Sequence, residues 1–444
     1  MKLRYTETTY QGNKKQVRTG TESFVPDQGE ENELINLYPQ VSYQNFEGFG
    51  GAVTDSAGYI FSLMPEKLQK EMLEQYFGKD GMKYRFVRIP IDSCDFSLEH
   101  YEADGDRADG ELQGFSFARV EQYILPLLDR AQEVYGGRLE IMLSPWSPPA
   151  YMKTNGQRNG GGKLKEEYKE RCARYICRYI REYRERGYLV TRLTVQNEPK
   201  AVQTWDSCIY TAEEEKEFIV SWLWPEMKKQ RLDDIRIYIW DHNKERAFEW
   251  AEVMFDKETE DILDGVAFHW YSGDHFEALR MIRERFPKKE LLLSEACIEF
   301  SKFSQDDFLK NAQKYAHDMI GNMNNGMNTF FDWNLILDEQ GGPNHVKNYC
   351  DAPYLFDTKE KVLEERNILD YLWHFSHFIT PGAVRIGVST YTDALEVTAF
   401  QKNGRIVAVL LNRTDREIPA YVRMRDEYVQ IRVQPEAIMS CEVL

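Results

Sequence analysis

Two glutamates carry the chemistry this sequence can do. Glu198 closes the run LTVQNE before Pro199, and Glu295 closes LLLSE, each where a β-rich run gives way to a loop. Cleaving an acetal needs such a pair: one carboxyl protonated to donate to the departing oxygen, the other ionised to attack or stabilise the oxocarbenium-like carbon. Taken singly, each has an ordinary explanation, because a carboxylate beside proline can start a helix and Glu295 can cap one or join an ion pair. Their joint placement points to catalysis. Glu198 reads as the acid/base, with Asn197 beside it to orient a substrate hydroxyl. Glu295 reads as the nucleophile, kept ionised by nearby donors. Arg88 lies inside the apolar run RFVRIPI, where a lone guanidinium would be costly, so it reads as support for the site; Tyr271 in AFHWY is a second donor. The charge of Arg88 is expected to depress the pKa of Glu295. Once an ester replaces that negative charge, Glu198 can release its proton and act as base toward water.

Other residues at the ends of β-rich runs could frame a sugar: Asp95 in SCDFS, Trp146 in SPWSPP, Trp205 in VQTWD, His269 and Trp270, then Asp332, Trp333 and Asn334 in FFDWN. A deeply bound sugar needs ring faces for its C–H surface and directional partners for its hydroxyls, and this set supplies both. Single tryptophans are more often core, and His269 could be structural. No other histidine stands at a metal-ligand spacing from His269, so zinc chemistry has no support and no cofactor is expected.

Positioning these groups requires repeated β-α units. Eight β-rich runs are legible: Phe46 to Phe49, Tyr84 to Ile91, Leu139 to Ser144, Thr191 to Gln196, Ile235 to Trp240, Gly265 to Trp270, Glu290 to Glu295 and Met327 to Trp333. Several are continuously apolar, as strands covered on both faces are, and eight of them predict a closed (β/α)8 barrel, an α/β fold. Helices are predicted over Lys165 to Arg186, Ala212 to Lys229, Lys244 to Phe255, His275 to Phe286, Gln305 to Met323 and Glu364 to Phe375, their aromatic stripes serving packing. After about Thr380 only short strands and turns follow. The expected domains are a barrel over 45–379 and a β-sandwich over 380–444, which is small enough to need further strands from residues 1–44.

Composition narrows the partners. The 444 residues carry a formal net charge of -17, which argues against a nucleic-acid partner. Seven cysteines, Cys94, Cys172, Cys177, Cys208, Cys297, Cys350 and Cys441, show neither metal nor disulfide-framework spacing, which fits free thiols in a reducing compartment. No secretory or membrane-spanning apolar run is present, so the expected location is cytoplasmic, with no membrane anchor. DGDRADGE, within the acidic stretch Glu99 to Gly114, does not match a calcium loop and reads as solvated. The glycine-rich AYMKTNGQRNGGGK lacks the ending of a phosphate-binding loop.

The motifs GFGGAVTD, VRIPIDSCDFS, LSPWSPPAYMKTNG, LTVQNEP, HWY, SEAC and FFDWNLILDEQGGPNHV, in this order, resemble family 30 of the glycoside hydrolases, in particular its glucosylceramidase-like branch. The resemblance implies a barrel joined to a β-sandwich built from both termini. It implies Glu198 as acid/base and Glu295 as nucleophile. It places Asp95, Trp146, Asn197 and Trp333 in a glucose subsite, with Arg88, His269 and Tyr271 around the nucleophile and Asn344 at the cleft rim. The activity implied is retaining hydrolysis of a terminal β-linked glucose. The segment PKAVQTWDSCIYT departs from the longer, more apolar loop of lysosomal members, so a small β-glucoside or short β-glucan is expected in place of a ceramide glycoside. The alternatives are a β-1,6-glucan hydrolase, a β-fucosidase or β-xylosidase, and a noncatalytic sugar-binding barrel. Oligomeric state is not legible.

Overall fold

The computed structural model describes residues 1–105 and 112–444; residues 106–111, and with them most of DGDRADGE, lie outside the described residues. Eight parallel strands close into a barrel: Gly48–Ala52, Phe86–Ile91, Glu140–Pro145, Leu189–Thr194, Arg236–Asn243, Gly265–His269, Glu290–Glu295 and Thr329–Asn334. In chain order these are barrel strands one to eight, and each expected strand is among them. Phe86, Met142, Tyr238, Ala267, Leu292 and Phe331 fill the interior, so the barrel is a packed core. Strand one can lie against strand two because it is glycine-rich: a Cβ on Gly50 would stand 2.4 Å from the Phe86 carbonyl oxygen.

The two ends of the barrel differ. At the N-terminal end Arg192 pairs with Glu47 and Glu140, and Arg236 with Glu47 and Glu290, a network that closes the floor. The opposite end carries the long loops and both glutamates of interest, as barrel enzymes require.

The expected helices form with shifted ends, for example Lys169–Glu185 and Phe308–Asn324. The helix expected from Glu364 starts at Asn367, because Glu364 and Glu365 end a short strand, Val362–Glu365. Three helices before residue 136 were not expected: Asp55–Leu63, Glu66–Phe77 and Ala118–Tyr135, the last containing Pro126. The helix over 212–229 contains a π turn at Ile219–Leu223, where the Trp224 N–H reaches the Ile219 carbonyl. Pro225 follows and has no N–H to continue the ladder. No described helix is long and apolar enough to cross a membrane.

A ten-stranded sheet system forms the second layer, and chain termini interleave in it. Lys2–Gln11 pairs with Lys14–Ser23 on one side and with Ala437–Val443 on the other, while Leu34–Phe46 pairs with Ala383–Thr390. The sandwich is therefore built from both ends of the chain. His374, on the helix Asn367–Ser376, ties it to the barrel through Ser440 and Thr8, at 2.8 Å each.

Candidate active site

The residues after barrel strand four are locked before they reach Glu198. Asn197 N–H donates to the Pro145 carbonyl at 2.8 Å and Glu198 N–H to the Asp241 carbonyl at 2.9 Å. Glu198 has φ 49°, a left-handed conformation uncommon outside glycine and frequent at functional sites. Glu295 is the last residue of strand seven. Arg88, fully buried in strand two, donates to Glu295 Oε2 at 2.6 Å, to Asn197 Oδ1 at 2.8 Å and to Ser144 Oγ at 3.1 Å. Tyr271 Oη donates to Glu295 Oε1 at 2.9 Å. Both oxygens of Glu295 are thus held, and the two donors expected from the sequence supply the bonds.

Asp241 is the central residue that sequence reasoning missed. It is fully buried and accepts from Arg88 at 2.8 Å, Thr194 Oγ1 at 2.6 Å and Ser294 Oγ at 2.5 Å, and it lies 3.1 Å from His269 Nε2. Its position is produced by a bulge. Ala267 pairs with Trp240 but Phe268 with His242, which leaves Asp241 extra, with φ 48°. A second irregularity, between Phe268 opposite Leu293 and His269 opposite Glu295, does the same for Ser294. Bulges turn a side chain out of the regular alternation. His242 and Asn243 were also missed: His242 Nε2 is 3.8 Å from Glu198, and Asn243 Oδ1 accepts the Tyr271 N–H at 2.9 Å. The polar run DHN after IYIW was the available signal.

The electrostatics correct one expectation. Burial pushes the Glu295 carboxyl above its ordinary range; His269 and Arg88 offset this only in part, and the charge of Glu198 adds to it. Glu198 behaves oppositely. Burial alone would raise it, but His242 and His269 together hold it down at about 2. Burial, however, lowers the pKa of His242 itself. At neutral pH His242 is therefore uncharged, and His269 is the partner that matters. His269 loses charge affinity by burial but gains more from Glu295, Asp241 and Glu198, which bring it up to about 9. One proton is therefore shared by the buried Glu198–His269 couple.

The sugar-frame residues divide into two groups. Trp146 and Trp333 are each 1% exposed and stack at 5.3 Å, with the Arg88 guanidinium 4.7 and 5.3 Å from their ring centres. Trp205 and Tyr271 are half-buried against the same cluster. Asp95 is buried, accepts from Asn344 at 3.3 Å, and is raised well above the carboxylate range by burial and then by Glu295. Among the described residues, Trp270, Asp332 and Asn334 make their hydrogen bonds to groups other than the two glutamates. Trp270 donates to the Cys297 carbonyl and packs on Tyr315. Asp332 accepts from Tyr315 and the Trp333 N–H. Asn334 accepts from Thr54. A cavity of about 880 Å³, lined by Tyr43, Arg280, His317, Arg385 and Glu396 among others, contains neither glutamate.

Comparison with known proteins identifies both domains. Residues 46–379 match the glycosyl hydrolase family 30 TIM-barrel domain and residues 382–441 its beta sandwich domain. A putative glucosylceramidase 4 of Caenorhabditis elegans is 32% identical over 394 residues, 84% of this chain and 76% of that protein. The crystal structure of SrfJ from Salmonella typhimurium superposes with a TM-score of 0.94 at 38% identity, covering 100% of this chain and 99% of the other. An endo-β1,6-glucanase, BT3312, superposes with a TM-score of 0.88 at 25% identity, covering 99% and 98%. The chain belongs to family 30 of the glycoside hydrolases.

Proposed function

We propose that this chain hydrolyses a β-linked glucoside by double displacement, with Glu295 as nucleophile and Glu198 as acid/base. The carrying observation is Arg88, which joins Glu295, Asn197 and Asp241 in one buried hydrogen-bonded unit. With its carbonyl oxygen taken by Arg88, Asn197 offers its amide N–H to a substrate hydroxyl. Trp205 offers the open ring face, and Asp95 and Asn344 the polar edge of the glycone pocket; Trp146 and Trp333 back it.

In the first step Glu295 attacks the anomeric carbon as the bond to the leaving oxygen breaks. Glu198 gives that oxygen the proton it shares with His269, and the alcohol departs. The ester removes one negative charge from the site. In the second step Glu198 takes a proton from water, whose oxygen attacks the anomeric carbon and frees Glu295. Two inversions retain the β configuration.

The test is glucose release from an aryl β-glucoside, gentiobiose, longer β-1,6-glucan chains and glucosylceramide, with Glu295→Gln as control. Release from the small substrates, lost in the control and giving the β anomer first by NMR, is the expected result. Inactivity on every glucoside would overturn the glycone assignment, and the α anomer would overturn double displacement. The likeness to the endo-β1,6-glucanase supports a second reading, internal cleavage of β-1,6-glucan, which would yield oligosaccharides before glucose. For location, seven buried and unbridged cysteines support a reducing compartment.

A further inference from the structure

Three loops at the mouth of the barrel converge on a point beside the glycone pocket. His100 comes from the loop after strand two, Asp206 from the loop after strand four and His345 from the loop after strand eight; one ligand atom of each lies within 4.8 Å of the others. We propose that His100, Asp206 and His345 bind a divalent late first-row cation, zinc(II) by its donor set, which fastens together the loops carrying Asp95, Trp205 and Asn344.

Each ligand is already arranged for this. His345 Nδ1 sits 3.2 Å from the Ser97 carbonyl, so Nδ1 carries the hydrogen and Nε2 the lone pair. That Nε2 is buried and has no hydrogen-bond partner among the described residues. An orphaned buried acceptor is costly, and a cation satisfies it. Asp206 is oriented from behind: its Oδ1 accepts from Arg158 at 2.5 Å and Ser93 at 3.0 Å, leaving Oδ2, which lies 3.2 Å from His100 Nδ1.

Charge and geometry also fit. Arg158 is matched by Asp92 at 3.2 Å as well as by Asp206, so the guanidinium behind the site is not an uncompensated positive charge. Tetrahedral zinc with bonds of about 2.0–2.1 Å places its ligand atoms roughly 3.4 Å apart. The His100–Asp206 separation meets that now. The two separations to His345, each within 4.8 Å, close by shifts of up to about 1.4 Å, shared between the loop carrying His345 and the 40% exposed side chain of His100. Two imidazoles and one carboxylate suit zinc and its neighbours, whereas calcium and magnesium take oxygen donors. A water completes the shell. The cation binds loops and does not enter the displacement at Glu295.

The experiment is calorimetric titration of the chelator-treated full chain with zinc chloride, and of cobalt(II) chloride followed by visible absorption. One equivalent should bind, weakened at least tenfold in His100→Ala and in His345→Gln, with a cobalt band free of thiolate charge transfer. Zinc should also raise the thermal midpoint of the parent chain and not that of His100→Ala, whose exposed site tolerates truncation. Absence of binding, equal binding in both variants, or a thiolate-to-cobalt band would each overturn the proposal. Glu295→Gln should bind zinc like the parent, so failure of the metal site and failure of the glycosidase reading are separable.

Discussion

His269 Nδ1 lies 3.4 Å from Glu198 Oε1, which makes the acid proton the property of a couple. His269, pushed up to about 9, keeps that proton in the site through neutral pH and loses it as pH rises through that value. The basic limb of kcat/KM is therefore expected near pH 9. In His269→Asn the proton must rest on Glu198 alone, and the limb should move down by about 2 units or more. The acid limb reports Glu295, which burial raises, so activity should fall as pH drops through a value above 4.5. Initial rates from pH 4 to 10, at substrate well below KM, read both limbs.

Asp241 accepts from Arg88 and stands against the far nitrogen of His269, so it orients the cation that holds Glu295 and the histidine beside Glu198 together. Asp241→Asn keeps the shape but leaves Arg88 and His269 short of a negative charge. Activity should fall roughly 100-fold, on the scale of a lost acid-base contribution. Breaking this buried ion pair should cost about 3–5 kcal/mol, measurable by urea unfolding. An active and fully stable variant would contradict the role given to Asp241.

The fold was legible because both-face burial leaves continuous apolar runs, and RFVRIPI and ELLLSEA are of that kind. Glu198, Glu295 and Arg88 were legible for a related reason: a charged residue inside or at the end of such a run needs a partner or a purpose. Asp241 and Ser294 were hidden by bulges, because their alternation gives no sign that they turn inward. His100, Asp206 and His345 were hidden by distance along the chain, since only closure of the barrel brings those loops together. The pKa order of the glutamates was misjudged for a third reason. Arg88 was counted and the desolvation it must overcome was not.

His374 gives a stability prediction independent of catalysis. It is fully buried between Thr8 and Ser440, where burial holds its pKa down at about 3. The unfolded chain, with an ordinary histidine value near 6.5, binds the proton that the folded chain refuses. Its contribution is complete above pH 6.5 and is lost progressively as pH falls toward 3. The thermal midpoint should drop between pH 7 and 5, and in His374→Gln that part of the drop should disappear from a lower starting value. An unchanged slope would show that other groups govern acid unfolding.

Trp205 and Trp333 separate ligand contact from packing. Trp333 is 1% exposed, stacked on Trp146 and under Arg88, so Trp333→Ala opens a cavity and should cost about 3–5 kcal/mol of stability. Trp205 is half-buried against the same cluster, and its truncation removes less packing. Trp205→Ala should raise KM for the aryl glucoside about tenfold with kcat nearly kept, since a stacking contact made equally in ground and transition states affects binding alone. Differential scanning of both variants, beside their steady-state constants, tests the division. If Trp205→Ala lowers kcat and kcat/KM equally, the ring acts on the transition state, and its platform role needs replacing.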